Sequence, residues 1–178
     1  MIYHCFILAR RNSKRITNKN LINFKGKPLL YWTLKQSLRL KKVKKIIVSS
    51  DSPKIIDLAK KVSKKFILNN RPKELSKGNT TSETTMKYLI KKYKIRNNDY
   101  ILLLQPTSPL RKTKDINNVL DIAKKKKIKS IHSVSSYSGK KKIDANLIIT
   151  NRGKPMKKNK LSFNGSIYLF RTSLLNLN

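Results

Sequence analysis

The 178-residue chain is long enough for one domain with a proper core, and length gives no reason to ask for two. Lysine and arginine number 43 against 8 acidic residues, a net charge of +35 that favours anionic partners, nucleic acid and membrane surfaces among them. The single cysteine, Cys5, excludes an intramolecular disulfide and a cysteine-based metal site, and no apolar run approaches membrane-spanning length.

The elements alternate along the chain. Ile2 to Leu8 reads as a buried strand, too short and too polar at His4 to be a signal peptide's apolar region. It runs directly into Ala9 to Asn20, a polar loop carrying Arg10, Arg11, Lys14, Arg15 and Lys19. Gly26-Lys27-Pro28 makes a turn, with Pro28 suited to the first position of a helix. Leu29, Leu30, Thr33, Leu34, Ser37 and Leu38 then recur at helical spacing. Ile46 to Ser50 is a β-branched strand, after which Ser52 is expected to cap a helix with Pro53 in its first turn and Ile55, Ile56, Ala59 and Val62 facing inward. Phe66 to Leu68 is a third short strand, and Asn69 to Thr81 a surface loop.

Thr81 or Ser82 caps the next helix, whose apolar face is Met86, Leu89, Ile90 and Tyr93. Tyr100 to Leu104 is the most continuous apolar run, as expected of a central strand covered on both faces. It ends in Gln105-Pro106-Thr107-Ser108-Pro109-Leu110-Arg111, a loop stiffened by two prolines. Thr113 is expected to cap a helix with Ile116, Val119, Leu120 and Ala123 inward, and Ser130 to Val134 returns as a strand. From Tyr137 to Leu161 the pattern weakens into an excursion with one strand, Leu147 to Thr150. Strand character resumes at Ser166 to Phe170. The class is therefore α/β, a mainly parallel sheet with helices on both faces in a single domain.

In such sheets ligands bind where loops leave the carboxyl ends of strands, so the basic loop after the first strand is a natural anion site, and Gln105 lies at the same edge. The bland alternative is a solvated loop in a lysine-rich protein. The lysines are indeed spread widely, as Lys41-Lys42, Lys44-Lys45, Lys124 to Lys127 and Lys140 to Lys142, without interleaved stacking aromatics. Composition by itself leaves a habit of the source and polyanion binding both open.

Neither a P-loop nor a dinucleotide glycine fingerprint is present. His4 and His132 fall within strands and read as structural, and no carboxylates stand paired in sequence. Asp51 reads as a stabiliser of the following helix's N-terminus. What remains is a set of cationic and amide side chains at strand ends. Phosphoryl and nucleotidyl transfer depend on positioning and charge neutralisation more than on protein nucleophiles, so this set suffices chemically apart from a metal site.

Seven segments carry a specific likeness. They are Ala9 to Ile16 with Lys19-Asn20-Leu21, Gly26-Lys27-Pro28-Leu29, Ile47-Val48-Ser49-Ser50-Asp51, Arg71-Pro72-Lys73-Glu74-Leu75, Leu103 to Arg111, and Asn164-Gly165-Ser166-Ile167-Tyr168. In this order they resemble the acylneuraminate cytidylyltransferase family, the CMP-sialic acid synthetases and relatives acting on other nonulosonic acids. The resemblance implies a Rossmann-like nucleotide-diphospho-sugar transferase fold and a homodimer, while the single cysteine and the lack of a signal-peptide or membrane-spanning pattern make a cytoplasmic protein the expectation. It implies that CTP and a nine-carbon α-keto acid sugar are joined with magnesium, the anomeric hydroxyl attacking the α-phosphorus and pyrophosphate leaving. By position, Arg10, Ser13, Lys14 and Lys19 would hold the triphosphate, in a nucleotide-binding loop that includes Ala9 and Asn12. Arg10, Lys14 and Lys19 would be its catalytic cations. Asn20, Arg71 and Ser82 would line the cytidine pocket, and Gln105 and Asn164 would face the sugar.

Three departures qualify the likeness. Asn12 stands where many relatives have Gly, although Asn tolerates positive φ better than most residues. The family usually continues past the Asn-Gly-x-Ile-Tyr strand into an Asp-x-Asp-type magnesium site, whereas no acidic residue follows Asp144 here, so the resemblance is to a C-terminally shortened member and leaves the metal ligands unassigned. The excursion at 137–161, which in relatives helps form the sugar pocket and the dimer, is short. Three other readings stay open: a truncated relative that binds nucleotide without turnover, a sugar nucleotidyltransferase using another nucleotide, and a basic nucleic-acid-binding protein.

Overall fold

The computed structural model describes residues 1–11, 16–138, 141–150 and 161–175, with side chains described outside 135–150 and 161–163. Strand β1, Tyr3–Leu8, is buried along almost its whole length because it lies inside the sheet. The two-residue alternation of a strand divides its side chains between two cores. Tyr3, Cys5, Ile7 and Ala9 pack with helices α1 (Leu29–Ser37), α2 (Pro53–Val62) and α4 (Thr113–Lys126), while Phe6 and Leu8 face α3 (Ser82–Lys92).

The remaining strands are β2 (Asn23–Phe24), β3 (Lys27–Pro28), β4 (Val43–Ser50), β5 (Ile67–Asn70), β6 (Tyr100–Leu103), β7 (Ser130–Ser138), β8 (Lys141–Thr150) and β9 (Leu161–Arg171). Six of them join β1 in one seven-stranded sheet in the order β5-β4-β1-β6-β9-β7-β8. The β5-β4-β1-β6 block is parallel, and β9 runs antiparallel to both β6 and β7, with β8 antiparallel to β7. The sheet is thus mainly parallel with helices on both faces. The chain builds outward from β1 through β4 to β5, then crosses by α3 to β6 on the other side of β1. The order therefore switches direction between β1 and β6, the place where open α/β sheets bind ligands.

The helices form where apolar spacing demands them. Leu30, Thr33, Leu34 and Ser37 of α1 are buried, as are Met86, Leu89 and Ile90 of α3 and Ile116, Val119, Leu120 and Ala123 of α4. Truncating a fully buried leucine such as Leu34 to Ala would cost about 2–5 kcal/mol.

Several local expectations change. The turn near Gly26 is Lys25–Gly26, both at positive φ, closing a two-residue hairpin between β2 and β3. Trp32 Nε1 donates to the Phe24 carbonyl at 2.9 Å and pins this hairpin to α1. Ser52 precedes α2, but its side chain makes no capping bond. Thr113 is the first helical residue of α4, preceded by Lys112 without a side-chain cap. The loop after β5 contains a 3-10 turn, Lys73–Ser76. The strand expected at Leu147 to Thr150 extends back to Lys141, and the last strand back to Leu161, because both pair antiparallel with β7 along these added residues. Of the excursion at 137–161, residues 139–140 and 151–160 lie outside the described residues. No described helix is long and apolar enough to cross a membrane.

At the amino end of the sheet His4 Nε2 lies 3.1 Å from Asp99 Oδ2, and both side chains are buried. Arg96 Nη2 reaches Asp99 Oδ1 at 3.2 Å. Burial holds the His4 pKa below its usual 6.5, against the opposing pull of Asp99. For Asp99, burial pushes upward but the hydrogen bonds and charges of Arg96 and His4 outweigh it, leaving the group below 3.8. Burial also lowers His132, whose Nε2 is 2.9 Å from Ser130 Oγ.

All three groups bind protons more readily in the unfolded chain, so stability is full above pH 6.5 and falls on acidification. The histidine contributions are lost first, below 6.5, and that of Asp99 below 3.8. Thermal unfolding at constant ionic strength should show Tm falling between pH 7.5 and 5, with a smaller fall for His4→Gln. An equal fall in the variant would take His4 out of this dependence.

Candidate active site

The basic loop begins where the β1–β4 ladder ends. Ala9 N donates to the Ser49 carbonyl at 3.0 Å, extending the pairing by one residue. Arg11 N donates to Asp51 Oδ1 at 2.6 Å, so a carboxylate just past β4 receives the backbone of the loop. The loop returns through a 3-10 turn at Lys19–Leu21, where the buried Asn20 sends Nδ2 back to the Arg10 carbonyl at 2.9 Å. These two bonds set where Arg10 leaves the sheet and where Lys19 re-enters it. Asn12, Ser13 and Lys14 lie outside the described residues.

Arg71 follows β5 and is 8% exposed. Its Nε donates to Ser49 Oγ at 3.2 Å and its Nη2 to the Ser49 carbonyl at 2.9 Å. Ser49 is thus shared between the loop after β1 and the arginine after β5, and its hydroxyl also lies 3.0 Å from Asn69 Oδ1. Burial lowers the Arg71 pKa; Asp51 opposes the shift and Arg10 adds to it.

Between β1 and β6 a cleft of about 320 Å³ opens on the α3 side of the sheet. Arg10, Lys19, Asn20, Arg71, Ser82 and Gln105 all line it. The expected cationic, amide and hydroxyl groups from five separate stretches therefore converge on one cavity. The sequence left the capping of α3 open between Thr81 and Ser82. Thr81 takes that role, accepting from Thr84 N at 3.0 Å, while Ser82 opens the helix and lines the cleft. Ala9 is fully buried and meets the cleft only through the backbone it carries into the loop.

Asn164 is not among the lining residues. Its Oδ1 accepts from Ser133 Oγ at 2.6 Å and from Ser166 N at 3.0 Å, which shapes the strand around Gly165. Gly165 has φ +70, and a Cβ there would sit 3.0 Å from Gln105 Oε1. The two expected sugar contacts are consequently neighbours through Gly165, with Gln105 on the cleft side.

Sequence reasoning missed the threonines Thr80, Thr81, Thr85 and Thr107, which line the cleft beside Leu8, Gly78, Leu103 and Pro106. The run Thr80 to Thr85 at a helix start was the available signal. Arg111 was quoted only as the end of a motif, yet it is buried with its guanidinium beneath the loop after β6. Burial lowers its pKa to about 10, so it remains a cation at neutral pH. The nearby Cys5 thiol is pushed by burial up to about 12 and gives it no counter-charge.

No carboxylate lines the cleft among the described residues, and no group of three His, Cys, Asp or Glu among them could hold a metal ion. No ligand set for the magnesium implied by the resemblance is therefore identified among the described side chains. Asp51 is engaged with the Arg11 amide. The cleft is built to receive negative charge: two cations at its edge, one buried guanidinium, and hydroxyls around them.

The α/β fold is shared with several solved structures. A CMP:2-keto-3-deoxy-manno-octonic acid synthetase solved with CTP superposes with a TM-score of 0.67 at 19% identity, covering 98% of this chain and 76% of that one. A family model described as Cytidylyltransferase matches residues 4–178, and the chain belongs to that family. Among curated relatives, a bifunctional protein of Helicobacter pylori is 35% identical over 119 residues, 67% of this chain. It is named pseudaminic acid cytidylyltransferase and UDP-2,4-diacetamido-2,4,6-trideoxy-beta-L-altropyranose hydrolase. The CMP-N,N'-diacetyllegionaminic acid synthase of Legionella pneumophila is 35% identical over 134 residues, 74% of this chain. The matched stretches span 23% and 57% of those two proteins respectively.

If the cleft is an anion site, inorganic pyrophosphate should raise the Tm of the protein with increasing concentration, and added salt should weaken the effect. The double variant Arg10→Ala, Lys19→Ala should lose most of the shift. An undiminished shift would put the anion elsewhere on the basic surface.

Proposed function

We propose that the chain transfers CMP from CTP to the anomeric hydroxyl of a nonulosonic acid, releasing pyrophosphate. The observation that carries this reading is the convergence of Arg10, Lys19, Asn20, Arg71 and Gln105 on one cleft at the switch point of the sheet, in a chain of the cytidylyltransferase family. The cations at the end of β1 suit the triphosphate. Arg71 and Ser82, across the cleft under α3, suit the cytidine. Gln105, on the β6 side, suits the sugar.

In the reaction the anomeric oxygen bonds to the α-phosphorus as the bond to the β-phosphate oxygen breaks. The hydroxyl proton passes to solvent, and negative charge grows on the departing pyrophosphate. Arg10 and Lys19 act on that charge, and Lys14 is assigned beside them by its position in the sequence motif. Such electrostatic stabilisation by positioned donors is the principal means by which phosphoryl-transfer sites lower the barrier. The buried guanidinium of Arg71, already braced on Ser49, needs little reorganisation to meet a ligand. A cytoplasmic setting and a homodimer belong to this reading as well.

A second reading, nucleotide binding without turnover, is favoured by one observation: among the described residues no carboxylate enters the cleft. A pyrophosphate-release assay with CTP, magnesium and a panel of sialic, pseudaminic and legionaminic acids separates the two. Turnover with at least one sugar is expected, with CTP preferred over GTP, UTP and ATP. CTP binding without pyrophosphate release for any sugar would leave only the second reading. Lys14→Ala should lower kcat at least about a hundredfold, the scale of losing one transition-state charge contact, without lowering Tm. In calorimetry, Arg71→Ala should weaken CTP binding by about tenfold or more, as expected for a lost charge-assisted hydrogen bond.

A further inference from the structure

Arg111 is 7% exposed and lies at the far end of the loop that begins with Gln105. Its donors reach three different elements. Nη2 donates to the Gln105 carbonyl at 2.6 Å, Nη1 to Gln36 Oε1 of α1 at 3.3 Å, and Nε to Ser166 Oγ of β9 at 3.4 Å. Gln36 tightens the same loop through Nε2, which donates to the Pro109 carbonyl at 3.1 Å and to that of Arg111. No salt bridge pairs this cation with a carboxylate among the described residues.

A desolvated cation without an ionic partner is a costly brace for a loop, since apolar side chains of similar volume generally fill such a space as well or better. What an apolar chain cannot supply is direction. The three donors form a rigid planar fork that fixes the Gln105 backbone relative to β9 at Ser166, one residue from Gly165. The Gln105 amide then rests against Gly165, close enough to crowd a Cβ there, with Oε1 3.0 Å from the position that Cβ would take. Asn164, through its bonds to Ser133 and Ser166, holds Gly165 from the other side.

We propose that Arg111 is a positioning residue for Gln105, seating its amide on Gly165 so that it meets the sugar in one orientation. Gly165 is the complementary half of the device. This inference rests on the reading of Gln105 as a sugar contact. Arg111 touches no substrate itself; it acts through the loop it grips.

Two readouts test it. The first needs no turnover: the side-chain amide resonances of Gln105 in 15N-labelled protein. In the wild type they should form one dispersed pair. They should move toward averaged positions in Arg111→Lys, which keeps the charge but not the fork, in Arg111→Met, which removes both, and in Gly165→Ala, which fills the seat. The second is steady-state kinetics with a sugar that is turned over. Sugar KM should rise about tenfold in Arg111→Lys, the scale of one charge-assisted hydrogen bond, while CTP affinity stays the same.

Unshifted Gln105 resonances in folded Arg111→Lys and Gly165→Ala would overturn the inference whether or not the protein is active. So would equal losses of sugar and CTP affinity, the mark of a general structural role. Absence of turnover in the wild type would instead strike the proposed function and leave the resonance test to decide this point.

Discussion

The carbonyl of Ser49 is the point on which the site depends. It accepts from Ala9 N on one side and from Arg71 Nη2 on the other, joining the first basic loop to the arginine after β5 across the end of β4. Parallel pairing makes this possible: β1, β4 and β5 all end at the same edge, so residues forty and twenty positions apart arrive together there. A carbonyl oxygen has two lone pairs, and at the last rung of a ladder the second is available to a side chain. Without that shared acceptor, Arg71 would be a buried cation with little to bind and the loop would leave the sheet untethered.

Electrostatics explains why the arrangement relies on backbone and hydroxyl oxygens. With 43 basic and 8 acidic residues, the chain has few carboxylates to spend on its own cations. Asp51 serves the loop amide and Asp99 is occupied by His4 and Arg96 at the opposite end of the sheet. Arg71 and Arg111 are therefore held by neutral acceptors. Neutral acceptors satisfy the hydrogen bonds without cancelling the charge, so Arg71 keeps its pull on an anionic ligand. The hydroxyl-bearing residues Thr80, Thr81, Ser82, Thr85 and Thr107 also line the cleft, suited to uncharged polar parts of a ligand.

The parallel half of the fold was legible in the sequence because each of its strands and helices carries its own period. The inward stripe Ile116, Val119, Leu120, Ala123 and the run Tyr100 to Leu104 need no knowledge of their partners. The antiparallel half was legible only in part: Ser130 to Val134, Leu147 to Thr150 and Ser166 to Phe170 read as strands, but not their full lengths or their pairing. Ile143, Ala145 and Leu147 alternate, but they sit beside a lysine cluster and a glycine, and what extends the strand back to Lys141 is the ladder with Ser130 to Ser138. Capping was similarly obscure at Ser52 and Thr113, where a residue type common at helix starts sits at or beside the start without making the bond. Within the site, motif likeness brought forward the side chains that reach into the cleft but not those beneath it. Ser49 and Arg111 stand in the quoted segments, yet their roles depend on distances between elements, which spacing in one chain does not encode. Asn164 shows the converse. Motif likeness marks it as a residue facing the sugar, and distances between elements add a second role, its amide oxygen shaping the turn at Gly165.

The placement of β9 has a consequence for the order in which the molecule can be assembled. This strand is the last of the chain's described strands to be synthesised, yet it lies between β6 and β7, two strands that precede it. Until it emerges, the β6 edge has open backbone donors and acceptors, and Gln105 has no seat. The cation-rich side of the cleft needs only β1, β4 and β5, elements complete by residue 71, whereas the opposite side waits for residue 165. A nascent chain would therefore acquire its anion-holding surface well before its cleft closes, and through that interval the uncovered β6 edge is the segment most exposed to mispairing. The pervasive lysine surface offers repulsion between such chains at the stage when they need it most.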